Sequence, residues 1–149
     1  MYFLPLTSQE RLSGGYTHRA ILTSTDLTQS TANTAQAIAL FTLKTGQVVL
    51  RAATRLVTTF ENTADNAHNT TTLIVGDSGD DDRCIASQEM NQNGTSVAYK
   101  VNATTIPFVA TSDTVVNATI GSMAAKSLTS LNKGEVHILF EIADLTKIA

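Results

Sequence analysis

An all-β fold, an antiparallel sandwich or barrel of about eight or nine strands, is what this 149-residue sequence predicts. Three observations carry the prediction. Apolar residues recur with period two along most of the chain, the spacing of a half-buried strand. β-branched residues dominate, and threonine alone makes up about a sixth of the chain, a composition that suits pleated surfaces better than helices. Turn clusters ("KTGQ", "ENTADNAHN", "GDSGDDD", "NQNG", "NKGE") punctuate the apolar runs with no helical segments alternating between them.

In chain order, residues 1–19 read as an extended N-terminal arm and residues 20–149 as one β domain. The arm carries Pro5 and the Gly14-Gly15 breaker, and its apolar residues, Met1, Tyr2, Phe3, Leu4 and Leu6, sit at its tip. Such a tip either folds back onto its own domain or covers a neighbour, since exposed apolar clusters invite association. These five residues are the candidate contact with a neighbouring subunit or a partner. Short strands are expected at "AILTSTDL" from Ala20 and "IALFTL" from Ile38. Val48 to Phe60, "VVLRAATRLVTTF", is expected as a long strand with Val48, Leu50, Ala52, Leu56 and Phe60 inward and Arg51 and Arg55 outward. "TTLIV" from Thr71, "RCIAS" from Arg83, "SVAYKV" and "IPFVA" follow, with Tyr99 expected to face the core. "TVVNATI" and "EVHILFEIADL" complete the set, the latter with Val136, Ile138, Phe140 and Ile142 inward. "SMAAKSLTSLNKG" is the one stretch with helical character, ended by Gly134.

Charge excludes several classes. A net charge of -3 and scattered Lys and Arg, with Arg51 and Arg55 the nearest approach to a pair, leave no basic patch for nucleic acid. No 18-residue apolar run is present to span a membrane, and the first residues lack the leading positive charge of a secretory signal. A single cysteine, Cys84, allows no internal disulfide, and its acidic neighbours disfavour a reactive thiolate.

The chemistry-like stretch is "TLIVGDSGDDDRCIAS", with Asp77, Asp80, Asp81 and Asp82 around a glycine-containing turn. A calcium loop of the EF-hand kind needs oxygens at alternate positions and a distal Glu, and glycoside hydrolysis needs carboxylates facing each other from separate elements. Neither pattern is met, so these aspartates read as a solvated turn, with a low-affinity calcium turn as the alternative. His18, His68 and His137 show no metal-ligand spacing, and no GxSxG or phosphate-loop motif occurs. No catalytic residue and no cofactor are therefore expected.

The run "IALFTLKTGQVVLRAATRLVTTFENTADNAHNTTTLIVGDSGDDDRCIAS", continued by "TTIPFVATSDTVVNATIGSMAA" and "GEVHILFEIADL", resembles small tailed-bacteriophage virion proteins of the capsid decoration or cement type. The resemblance spans roughly Ala37 to Leu145. It implies a jelly-roll-like β-sandwich without catalysis, a homotrimer on the outer capsid surface, and the major capsid protein as partner. It also makes the "VGD…DDD" segment a connection between strands. Cement proteins act by binding the assembled lattice, which requires a rigid scaffold and contact surfaces. Two alternatives remain: a carbohydrate-binding sandwich, disfavoured by the absence of Trp, and a tail, neck or head-fibre component, which the fold does not separate from a capsid role.

Overall fold

Ten strands and one short helix are present in the computed structural model, which describes residues 1–93, 95–103, 105–121 and 125–148. The strands are β1 (Tyr2–Pro5), β2 (His18–Thr23), β3 (Gln36–Leu43), β4 (Gln47–Glu61), β5 (Thr72–Asp77), β6 (Asp80–Glu89), β7 (Tyr99–Val101), β8 (Phe108–Val109), β9 (Thr114–Ile120) and β10 (Lys133–Asp144). All nine expected strands occur. The tenth, β1, comes from the predicted arm.

The pairing is nested. β2 pairs with β10, β3 with β9, β4 with β7 and β8, and β5 with β6, all antiparallel. Folding that long hairpin over adds the β10–β4 and β9–β5 ladders. Sheet A then runs β1-β2-β10-β4-β7, with β8 also on β4, and sheet B runs β3-β9-β5-β6. Nested pairs divided between two packed sheets define a jelly roll. The inner faces meet through Leu22, Phe60, Leu73, Ile120, Ile138 and Phe140, all nearly or fully buried.

Three expectations are corrected. Leu50 is half-buried while Val49 is fully buried. The register slips between Glu141↔Arg51 and Ile142↔Val49, so one extra residue on β4 reverses the alternation beyond it. Tyr99 is 69% exposed rather than in the core, because β7 is a three-residue edge strand whose odd positions lie on the outer face. Of the helical stretch, residues 122–124 lie outside the described residues, and the rest contains a single 3-10 turn, Leu128–Ser130. Gly134 belongs to β10 with φ +149, and an added Cβ would meet the Phe60 ring.

The helix that does form, α1 (Ser8–Gly14), lies in the N-terminal segment. Thr7 and Glu10 cap each other reciprocally, the Glu10 carboxylate accepting the Thr7 N–H at 2.9 Å, and Gly15 ends the helix at φ 74. This T-x-x-E pattern is a legible helix start, so the signal was present in the sequence.

Gly76 is required by close approach. The backbone of β6 bulges across it, and a Cβ there would overlap the Asp80 and Asp81 backbone. Gly76→Ala is expected to cost about 3 kcal/mol, read as a lowered urea midpoint with unchanged slope.

Candidate interaction site

The aspartate segment is only in part a solvated turn. Asp77 ends β5 and Asp80 begins β6, leaving Ser78 and Gly79 as the hairpin loop. Asp77 is 7% exposed and accepts from Arg83 Nε at 2.5 Å and from the Gly79 N–H at 2.8 Å. The Arg83 guanidinium also lies 3.8 Å from Asp80 and 4.1 Å over the Phe108 ring, a cation–π contact. Burial alone would push the Asp77 carboxyl up. The Arg83 and Gly79 hydrogen bonds with the Arg83 charge outweigh it and hold the carboxyl below its usual range. Asp81 and Asp82 remain exposed, and the hydrogen bond with Asp80, desolvation and the charges of Asp80 and Asp81 push the Asp82 carboxyl up. Arg83 thus supplies the positive charge beside Asp77 and Asp80. Among the described residues, no group of three or more His, Cys, Asp and Glu side chains could hold a metal ion.

Cys84 is buried, and burial, followed by the charge of Asp77, pushes its thiol up to about 12. The native thiol should therefore resist iodoacetamide at pH 8 and be alkylated only after unfolding, a difference mass spectrometry reads directly.

The fold does assemble one Ser, His and Asp near each other. Ser130 Oγ lies 3.1 Å from His68 Nε2, and Asp65 is close enough to act on the His68 ring by its charge. The Ser130 hydroxyl, however, donates to the Ser127 carbonyl at 2.5 Å. His68 Nε2–H must then be the donor to Ser130 Oγ, so the ring cannot accept the serine proton as a base would. Asp65 is held by Lys126, and His68 is buried. Burial acts first and Lys126 opposes the Asp65 charge, so the ring stays below its usual pKa. The constellation is a loop fastening.

The N-terminal segment folds back. β1 pairs with β2 from Tyr2↔Ile21 to Pro5↔His18. Phe3 points between the sheets, stacked 4.5 Å from Phe41 and 5.2 Å from His18, with Phe140 edge-on. Leu6 is buried. Met1, whose ammonium pairs with Asp26, stays exposed with Tyr2 and Leu4. Of the five tip residues, three thus face solvent and two are in the body of the protein.

Strand register builds a continuous outer face on sheet A. One row across five strands reads Tyr2, Ile21, His137, Arg55, Tyr99, and the next reads Leu4, Arg19, Leu139, Ala53, Val101. Both ends of these rows are apolar and open: Tyr2 and Leu4 at the β1 edge, Tyr99 and Val101 at the β7 edge. Between them, the segment carrying Leu6, Glu10, Gly14 and Tyr16 roofs a cavity of about 380 Å³ over Arg19, Arg55, His137 and Leu139. Sequence reasoning found Arg51 and Arg55 as outward residues. It missed Arg19 and His137 as their neighbours, because only pairing places β2 and β10 beside β4.

Fold and surface define a class: a jelly-roll sandwich whose outer sheet face is bounded by two apolar edges. Solved structures with this fold include a chain of the capsid asymmetric unit of cyanophage Pam1. It matches with a TM-score of 0.60 and 23% identity, covering 85% of this chain and 81% of that one. A chain of the acidic stable capsid structure of Helicobacter pylori bacteriophage KHP30 matches with a TM-score of 0.47 and 13% identity over 95% of each chain, too low a score to carry argument. The Pam1 likeness is one of fold. No protein-family model and no curated protein matches the chain.

Proposed function

We propose that this chain is a structural virion protein, without catalysis, that binds the outside of an assembled phage capsid and stabilises it. The reading rests on the jelly roll shared with a chain of the Pam1 capsid asymmetric unit over most of both lengths. The apolar edges of sheet A, Tyr2 with Leu4 and Tyr99 with Val101, supply contact surfaces of the kind an assembling subunit uses. A homotrimer would cover edges that a lone sandwich exposes, with the major capsid protein as the lattice partner. Light scattering of purified protein at micromolar concentration should give about three times 15.8 kDa. Capsid shells lacking this protein should take it up in co-sedimentation and then resist heat better. Failure of the shells to take up protein would end the decoration reading.

A carbohydrate-binding module is the second reading. Tyr2 and Tyr99 are 67% and 69% exposed on one face, and exposed aromatic rings are what sugars stack on. A saturable glycan-array signal lost in Tyr99→Ala would favour it.

A further inference from the structure

We propose that the cavity between α1 and the outer face of sheet A is a binding site for a monocarboxylate with an apolar stem, held between the guanidiniums of Arg19 and Arg55. This inference stands apart from the capsid role and concerns a ligand rather than an assembly.

The argument begins with how the arginines around α1 use their donors. Arg11 Nε donates to the Leu6 carbonyl at 3.0 Å. Arg51 donates to Glu141 at 2.5 Å and to the Gly14 carbonyl at 3.2 Å, and lies over the Tyr16 ring. Both are committed. The two that line the cavity are not. Arg19 reaches Glu10 through Nη1 at 3.3 Å, but its Nε is buried with no hydrogen-bond partner among the described residues. Arg55 has no hydrogen-bond or ion-pair partner among the described residues. A buried donor left unsatisfied carries a desolvation cost, so the Arg19 side chain gains a partner by turning that donor toward an acceptor in the cavity.

Geometry suits one small anion. Arg19 on β2 and Arg55 on β4 flank β10 on the same face, in adjacent outward rows. Their Cα atoms are therefore roughly 12 Å apart, and their long side chains can close on a group between them. Guanidinium groups recognise carboxylates through paired, charge-assisted donors. Leu6, Leu139 and the Tyr16 ring provide apolar wall, which accommodates a stem. A volume of about 380 Å³ falls in the range of small-ligand sites.

Charge selects the valence. Among the lining residues Glu10 offsets Arg19 at 3.3 Å, so Arg55 supplies the unbalanced positive charge. One negative charge completes the site. A dianionic phosphate would face Glu10 with a charge left over.

The carboxylate could belong to a free small molecule or to an acidic side chain on a peptide, and the test separates them. Calorimetry and thermal melting of the full chain would use hexanoate, the neutral isostere hexanamide, acetyl-leucyl-glutamate amide and inorganic phosphate. Saturable binding of hexanoate, absent for hexanamide and weaker for phosphate, is the expected result. Arg55→Gln, on an exposed position of a central strand, should keep the melting midpoint and weaken hexanoate about tenfold or more, while Arg11→Gln leaves it unchanged. Binding of the glutamate peptide without hexanoate supports the site and assigns it to a protein carboxylate. No binding of either carboxylate, equal binding of hexanamide or phosphate, or full binding by Arg55→Gln would overturn the proposal.

Discussion

Arg83→Met lowers the unfolding free energy by about 3–5 kcal/mol at pH 7, because it leaves the Asp77 carboxylate buried without its counter-charge. Asp77 is 7% exposed and Arg83 Nε is its closest donor. The Gly79 N–H, at 2.8 Å, and the Asp80 backbone donor stay, but backbone donors do not replace a guanidinium. Removing both charges, Asp77→Asn with Arg83→Met, should recover much of the loss, since no unpaired charge is then left inside. The pH dependence gives an independent check. In the wild type the folded Asp77 pKa lies below its usual value near 3.8. Its stabilisation is therefore complete above that pH and is lost as pH falls through the folded pKa. Without Arg83, burial dominates and the carboxyl titrates above its usual value. The gap between wild type and Arg83→Met must then narrow as pH falls from 7 toward 4. Chemical denaturation at three pH values reads it, and a constant gap would mean that Arg83 contributes through its packing on Phe108 alone.

If the protein acts in the proposed capsid role, Tyr2→Ser with Leu4→Ser is expected to leave stability within about 0.5 kcal/mol and to abolish oligomer formation or capsid uptake. Phe3→Ala does the reverse, costing about 2–4 kcal/mol of stability. The three residues are adjacent, and the pleat separates them. Tyr2 and Leu4 project outward and are exposed, while Phe3 fills a gap bounded by His18, Phe41 and Phe140. Removing residues 1–15 whole confuses the two roles, since it deletes an edge strand of sheet A, the buried Leu6 and the capped helix. Point substitutions keep the roles apart. Wild-type mass and wild-type uptake in the outward double variant would remove β1 from the contact surface.

Much of the fold was legible locally. Alternation identified every strand from β2 to β10, and it assigned Val136, Ile138 and Phe140 of β10 to the interior, where they are. Alternation works because successive side chains leave a strand on opposite faces whatever its partners. It failed at Leu50, where a bulge imposed by β10 shifts the phase, and at Tyr99, where position at the edge of the sheet decides exposure. β1 was missed because four residues containing a proline carry little periodic signal.

The candidate sites divide the same way. The aspartates were visible as a cluster, but their chemistry was not. Arg83 follows them directly in sequence, yet which carboxylate it takes depends on the hairpin register that sets Asp77 opposite Asp80. Arg19, Arg55 and His137 are separated by tens of residues and meet only because β2, β10 and β4 are neighbours in one sheet. By itself, then, the sequence determined the all-β class, the strands from β2 to β10 and the inward face of β10, since these depend on side-chain order along the backbone. Tertiary structure alone decided the jelly-roll pairing, the fate of the N-terminal segment and the grouping of charges on the outer face. Those depend on hydrogen bonds between residues distant in the chain, which no local pattern encodes.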